Sequence, residues 1–354
     1  MTNKSRIDVH HHIVPLPLRQ EMERRGLREV AGAPLPTWSD SDSLDVMGAT
    51  EIASALLSVS APGVHFGDDA AAITLARACN EFTADVVERQ PERLGMFAVL
   101  PMPLTEASCA EAIYALEELK ADGVVLLGSV QGHFLGDQRF EELMAELDKR
   151  KAIVFLHPNL HPSTDSIGLD IPEFVIEFLC DTTRASLNLI LSGVTERYPR
   201  INWILAHAGG FLPYIAWRAS ILNSFKRYEE NLRDGVLGNI QKYYYDTALS
   251  PASYPMAALG QLVDPSHILF GSDFPFAPAP MTGVQVRALD GLDLWTEEMK
   301  LGVERKNALN LFPRFGLPGE EPGKQPKFRR SIRSRIKTKA MSPIISLLEA
   351  ARNR

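Results

Sequence analysis

The order of apolar segments along the chain constrains the fold more than any other feature. Short apolar runs rich in β-branched residues alternate with segments of helical periodicity. The predicted strands are 6–15, 52–60, 94–102, 123–128, 153–158, 201–208, 243–249 and 267–274. The clearest predicted helices are 70–90, 106–120, 139–151, 174–198 and 213–233. Eight strands that alternate with helices predict an α/β fold of the (β/α)8 TIM-barrel type.

A doubly wound sheet has the same alternation, but no G-x-G-x-x-G follows the first predicted strand. We expect a single barrel domain over residues 1–319, with residues 29–43 forming a loop insertion after strand 1. Residues 320–354 contain ten Lys/Arg and three acidic residues, which predicts a flexible basic C-terminal extension. A short amphipathic element for a partner or an anionic surface is the alternative for this tail.

Composition excludes several classes of protein. The net charge of -7 and the sequence pI near 5.8 do not suit nucleic-acid binding. The three cysteines lie far apart, so we expect neither a disulfide framework nor a thiolate zinc site. No secretory signal precedes the first strand and no apolar run is long enough to span a bilayer, so we expect a cytoplasmic protein with no transmembrane segment.

Four of the predicted strands end in residues that bind metals or transfer protons. His10 and His12 lie two apart on the first strand and so share one face, while the histidine between them points away. His157 ends the fifth strand, His207 the sixth and Asp273 the eighth. A single histidine after apolar residues is more often a core residue than a ligand. Four such strand ends at the catalytic end of a barrel predict a mononuclear metal site.

The motifs around these residues resemble those of the amidohydrolase superfamily. They are D-x-H-x-H at 8–12, F-L-H-P at 155–158, A-H-x-G-G at 206–210 and G-S-D-F-P-F at 271–276. More narrowly, the chain resembles the branch of aminocarboxymuconate semialdehyde decarboxylase and the hydroxybenzoate decarboxylases, from about residue 6 to residue 315. Residues 123–137 look closest to enzymes that act on 6-methylsalicylate.

The resemblance implies a single divalent metal ion, with Zn expected first and Mn second. Binuclear relatives use a lysine at the end of strand 4, and residues 123–128 supply none. The implied ligands are His10, His12, His157 and Asp273. His207 would lie beside the metal as an acid/base.

The resemblance also implies residues that bind the substrate. Arg218, eleven residues after His207, matches an arginine that reaches a substrate carboxylate, often across a dimer interface. We therefore expect a homodimer or a dimer-based oligomer, although a surface charge on a helix explains Arg218 equally well. Phe276 and His133 are further candidates for contact with the substrate.

The predicted reaction is the metal-dependent, non-oxidative decarboxylation of an aromatic carboxylic acid, a salicylate-type acid such as 6-methylsalicylate. Asp273 would donate a proton to the ring carbon, with His207 as its partner in the transfer. The alternative is a hydrolase that attacks a lactone, amide or imine with a metal-bound hydroxide. A catalytically idle barrel whose tail recruits a partner is disfavoured by the complete set of ligands.

Overall fold

Eight parallel strands form one sheet whose spatial order follows the chain. The structure, a computed structural model, describes residues 5–324. Its strands are β1 Arg6–His12, β2 Ile52–Ser58, β3 Leu94–Val99, β4 Gly123–Leu127, β5 Ile153–His157, β6 Asn202–Leu205, β7 Tyr244–Asp246 and β8 Ile268–Leu269. The end of β8 returns to β1, because Val9 N–H donates to the Phe270 carbonyl at 3.0 Å. The predicted (β/α)8 barrel is confirmed.

Helices surround this sheet and bury one apolar face against it. They are α1 Leu16–Arg24, α2 Asp40–Ala49, α3 Asp69–Arg89, α4 Thr105–Glu117, α5 Glu141–Lys149, α6 Glu177–Leu191, α7 Val194–Arg197, α8 Leu212–Ala219, α9 Gly235–Ile240, α10 Ser253–Leu262, α11 Ala279–Asp290 and α12 Glu297–Leu301. In α3 the buried face carries Ala72, Ala76, Cys79 and Val86, at the spacing that one side of an α-helix repeats. The side chain of Asp68 caps its first turn by accepting a hydrogen bond from the backbone.

Two predicted helices are shorter in the structure than the periodicity indicates. The segment 174–198 divides into α6 and α7, because Gly193 adopts a left-handed φ of 81° between them. The segment 213–233 stays α-helical only to Ala219, and two 3₁₀ turns follow. Here Asn223 Oδ1 accepts a hydrogen bond from the Val236 backbone at 2.8 Å, a local contact that competes with helix continuation. The prediction of single long helices was therefore wrong.

The eighth strand is also shorter than its predicted range of 267–274. Regular pairing ends at Leu269, and the backbone then turns across the barrel mouth. Phe270 N–H donates to the Val303 carbonyl at 2.9 Å, and Asp273 N–H donates to the His10 carbonyl at 2.8 Å. The turn therefore brings Asp273 over the end of β1.

The predicted insertion after strand 1 contains a small hairpin rather than an irregular loop. Its strands, Glu29–Val30 and Ala33–Pro34, have two residues each, and we call it the Val30 hairpin. The carbonyl of Ala31 accepts a hydrogen bond from Phe174 N–H at 3.1 Å, which attaches the hairpin to the segment before α6. The hairpin therefore covers part of the barrel mouth.

Aromatic rings fill the barrel interior below the mouth. Phe97 stacks on Phe155 with 5.5 Å between ring centroids, and Phe312 meets Phe97 edge-on at 5.9 Å. Above them, the His10 ring lies 4.8 Å from the Phe155 ring. This packing fixes the position of the His10 side chain from below.

The first residues of the predicted basic tail contact the barrel. Glu320 forms an ion pair with Arg305 at 2.7 Å, and Gly323 N–H donates to the Lys306 carbonyl at 2.8 Å. Residues 325–354 lie outside the described part of the chain, so the domain boundary at 319 stays a prediction. Between residues 5 and 324, no helix combines the length and apolar character needed to cross a bilayer.

Candidate metal centre

Four buried side chains converge at the carboxyl ends of β1, β5 and β8. They are His10, His12, His157 and Asp273, and one ligand atom from each lies within 4.8 Å of every other. His10 Nε2 and His12 Nε2 are 2.9 Å apart. Asp273 Oδ1 lies 3.4 Å from His10 Nε2 and 3.1 Å from His12 Nε2. The predicted ligands therefore form one potential metal site within residues 5–324.

The alternation of β1 explains why two of its three consecutive histidines belong to this site. His10 and His12 project into the barrel mouth, whereas His11 projects to the other face. There its Nδ1 donates to the Asp8 carboxylate at 3.0 Å and its Nε2 accepts from the Ser43 hydroxyl at 3.0 Å. His11 is thus a hydrogen-bonded core residue.

Hydrogen bonds set the tautomer of each ligand histidine. His10 Nδ1 donates to Asp246 at 2.6 Å, and His12 Nδ1 donates to the Ser58 carbonyl at 3.1 Å. The Nδ1 atom of His157 donates to the carbonyl of the next residue at 2.9 Å. Each ring therefore directs its Nε2 at the common centre. Three imidazole nitrogens, once free of protons, and a carboxylate, buried together, fit a divalent cation.

Asp246 at the end of β7 is a functional residue to which the sequence analysis assigned no role. One carboxylate oxygen accepts from His10, and the other accepts from the backbone N–H of His207 at 2.9 Å and of Ala248 at 3.0 Å. It therefore orients both a metal ligand and the strand end beside it. Its place at a strand end, in register with the other site residues, is the signal that could have identified it.

Asp8, the first residue of the D-x-H-x-H motif, has a similar supporting role. Its carboxylate accepts hydrogen bonds from the Ser272 hydroxyl at 2.5 Å and from the Ser272 backbone at 3.0 Å. These bonds join β1 to the turn that carries Asp273. Gly271 permits the close approach, because a Cβ atom there would lie 2.8 Å from the Cβ of His10.

His207 lies beside the cluster, as predicted. Its Nε2 is 3.4 Å from Asp273 Oδ2, and its buried Nδ1 has no hydrogen-bond partner among the described residues. His207 and Asp273 have φ values of 54° and 61°, a left-handed conformation that non-glycine residues rarely adopt. Such backbone strain is concentrated at functional sites. A small movement of the two side chains towards each other would allow a proton to pass between His207 Nε2 and Asp273 Oδ2.

The electrostatics of the cluster favour a bound cation. Burial lowers the pKa of His12 and His157, and the neighbouring imidazoles lower that of His157 further. Burial opposes the charged form of His10 as well, but Asp246 and Asp273 raise its pKa to about 10. Although burial raises the pKa of Asp273, His10 and the hydrogen bonds from the surrounding histidines hold it well below the usual range. A metal ion can replace the proton on His10.

A cavity of about 340 Å³, which we call the metal pocket, opens above the cluster. His157, His207 and Asp273 reach it, and its apolar walls are formed by Val30, Phe174, Phe178, Leu249 and Phe276. The Phe276 ring meets the His12 ring edge-on at 5.4 Å between centroids. A cavity of ~150 Å³ already holds benzene, so a substituted aromatic acid fits this space.

Two predicted substrate contacts lie away from the metal pocket. His133 belongs to a short hairpin and its Nδ1 lies 3.3 Å from an Asp137 carboxylate oxygen. Arg218 is exposed on α8 and does not line the pocket of its own chain. Their roles in substrate binding stay predictions.

A (β/α)8 barrel with one buried cluster of imidazoles and an aspartate at its mouth defines a metal-dependent barrel enzyme. Residues 7–314 match the amidohydrolase family, and the chain belongs to this family. It is 35% identical over 316 residues to the 6-methylsalicylic acid decarboxylase of Penicillium expansum, covering 88% of this chain and 97% of that protein.

Solved structures support the same assignment. An amidohydrolase II superposes with a TM-score of 0.83 at 32% identity, over 87% of this chain and all of that one. The dihydroxybenzoic acid decarboxylase of Polaromonas sp. JS666, with bound manganese and the inhibitor 2-nitroresorcinol, superposes with a TM-score of 0.76 at 22% identity, over 89% and 98%. At that identity the second match supports the fold alone.

Proposed function

We propose that this protein is a metal-dependent carboxy-lyase that removes CO2 non-oxidatively from an aromatic acid of the salicylate type, with 6-methylsalicylate as the first candidate. The observation that carries the proposal is the cluster of three histidines and Asp273 below an aromatic-walled pocket of about 340 Å³. The 35% identity to a 6-methylsalicylic acid decarboxylase over nearly its full length supports the substrate class.

His10, His12, His157 and Asp273 would hold the metal ion. Bound there, the ion supplies positive charge that orients the carboxylate and phenolic oxygens and stabilises negative charge on them. We propose zinc, because imidazoles with one carboxylate are its usual ligands. Manganese is the second candidate, supported by the manganese in the Polaromonas relative.

Asp273 and His207 are the residues proposed to move the proton. The ring carbon that carries the carboxylate must gain a proton before its bond to the carboxylate carbon breaks and CO2 leaves. Asp273 is ionised in the free protein, since its pKa lies well below the usual range. It therefore takes up a proton as the substrate binds, and His207, whose Nε2 is 3.4 Å away, is its partner in that exchange.

The proposed homodimer would give Arg218 a role that it does not have in one chain. Tyr214 and Trp217 on α8 are 87% and 79% exposed, and Tyr254 on the neighbouring α10 is 79% exposed. Exposed aromatic residues grouped in this way are typical of protein interfaces. We propose that this face pairs with a second copy and directs Arg218 towards the substrate carboxylate of the partner subunit.

The test is to incubate metal-loaded protein with salicylate and 6-methylsalicylate, and separately with lactones and amides. Release of CO2 with formation of the corresponding phenol is the expected result. Hydrolysis of a lactone or amide, without CO2 release from any salicylate, would favour the hydrolase alternative.

A further inference from the structure

A second and larger cavity lies beside the metal pocket at the barrel mouth. Its volume is about 390 Å³, and it is built at the ends of β2, β3 and β4, where no metal ligand lies. We call it the apolar cavity, defined by Val59, Ala61, Leu100, Leu127, Val130 and Leu160.

The two cavities are separated by a wall one residue thick. Val30 lines both of them. At the end of β2, Ser60 faces the metal pocket, whereas the residues on either side of it face the apolar cavity. After β5, His157 faces the metal pocket and Asn159 faces the apolar cavity. A molecule bound over the cluster is therefore within a side chain's reach of the second cavity.

The wall at Val30 is the part of the partition that does not belong to the barrel. The Val30 hairpin consists of two strands of two residues each. A two-stranded hairpin of this size contributes little stability of its own, and the hydrogen bond from Phe174 N–H to the Ala31 carbonyl attaches it to the segment before α6. Its displacement would join the two cavities without disturbing the barrel sheet.

The lining of the apolar cavity selects an apolar occupant. Among the polar side chains that line it, Glu29 is exposed, whereas Gln131 Nε2 donates to His65 Nδ1 at 3.1 Å and His65 Nε2 lies 2.9 Å from an Asp69 carboxylate oxygen. Asn159 Nδ2 donates to the Ser129 carbonyl at 2.9 Å. An apolar group entering the cavity would therefore leave these hydrogen bonds intact and bury its own surface.

We propose that the apolar cavity binds an alkyl chain carried by the ring of the aromatic acid. This inference rests on the proposed function, because the carboxylated ring must lie over the cluster for its substituent to pass Val30. The apolar cavity has more than twice the ~150 Å³ that accommodates benzene. A methyl group therefore fills only a small part of it. The protein then prefers a longer chain than methyl, and each buried methylene improves binding by about fourfold.

The experiment uses metal-loaded protein and 6-alkylsalicylates with methyl, propyl, pentyl and heptyl chains. The expected result is a kcat/KM for the pentyl acid at least tenfold above that for the methyl acid. Val130→Phe and, separately, Leu100→Phe fill the cavity from two different segments and should lower this ratio at least tenfold. Val284→Phe makes the same change as the first variant on an exposed part of α11 and should leave the ratio unchanged.

Provided that the methyl acid loses CO2, a pentyl acid that reacts no faster than it in the wild-type protein would overturn the inference, whether or not the variants fold. So would an unchanged ratio in a folded cavity-filling variant.

Calorimetric binding of the same acids to the metal-loaded protein separates this result from a failure of the proposed function. If no salicylate loses CO2, but affinity still rises with chain length and Val130→Phe removes the rise, the proposed function fails and the inference holds. If CO2 is released but affinity is independent of chain length, the inference fails and the proposed function holds.

Discussion

His10 Nδ1 lies 2.6 Å from a carboxylate oxygen of Asp246, and both side chains are completely buried. An aspartate carboxylate accepts hydrogen bonds, so this contact places a proton on His10 Nδ1 and directs Nε2 at the metal site. The affinity for the metal therefore depends on a residue that is not itself a ligand.

Replacing Asp246 should weaken metal binding although all four ligands remain. In Asp246→Asn the amide can donate to His10 Nδ1 and favour the wrong tautomer, and removal of such a partner typically costs 10–100-fold in affinity. Competition with a chelator of known affinity measures the loss. Asp293→Asn, at an exposed aspartate, is the matched control. Equal affinity in Asp246→Asn and wild type would contradict this role.

Asp273→Asn should separate metal binding from catalysis. Three imidazoles remain to hold the metal, so much of it stays bound, while the proton donor is lost and kcat falls by at least ~100-fold. Metal content and single-turnover CO2 release, measured on the same preparation, check both halves of the prediction. Turnover close to the wild-type rate would rule out Asp273 as the donor.

The exposed aromatic residues Tyr214, Trp217 and Tyr254 should determine both the oligomeric state and the activity. Trp217→Glu places a charge in the proposed interface and is expected to shift the protein towards monomer. Arg218→Ala should instead keep the oligomer and raise KM at least tenfold, because a charge-assisted hydrogen bond to the substrate is lost. Sedimentation and steady-state kinetics distinguish the two effects, with Val284→Glu as an exposed control on α11. An active wild-type monomer would contradict the proposal.

Stability should change with pH through Asp181, a residue outside the metal cluster. Burial raises its pKa from 3.8 to about 6, although it accepts a hydrogen bond from Asn159 N–H at 2.9 Å. A carboxyl whose folded pKa is raised stabilises the fold while it is protonated, and this contribution disappears as the pH rises through the folded pKa.

Wild type should therefore lose up to about 3 kcal/mol relative to Asp181→Asn as the pH rises from 4 to 7. Urea unfolding of both proteins across this range measures the difference. Asp165→Asn, at an exposed aspartate, should follow the wild-type curve. Parallel curves for wild type and Asp181→Asn would contradict the assignment.

The sequence predicts the metal site well because a barrel brings the carboxyl ends of all its strands together at one mouth. His12 and Asp273 are 261 positions apart by subtraction of their numbers, yet the carboxyl ends of parallel strands meet at one mouth whatever the loops between them do. The H-x-H spacing on β1 then fixes which histidines face inward.

Other features depend on contacts that no local pattern encodes. The helix after β6 ends at Ala219, and Asn223 bonds to a backbone group 13 residues further on. The hydrogen bond between His10 Nδ1 and Asp246 forms only because the ends of β1 and β7 lie close together at the barrel mouth. The apolar cavity depends on how the Val30 hairpin folds over the mouth, since Val30 lines both cavities and forms part of the wall between them.

The most direct test of the central claim is anomalous diffraction from crystals of protein loaded with zinc or manganese. We predict one anomalous peak per chain, about 2.0–2.2 Å from ligand atoms of His10, His12, His157 and Asp273. A peak elsewhere, or none while these four side chains remain ordered, would contradict the claim.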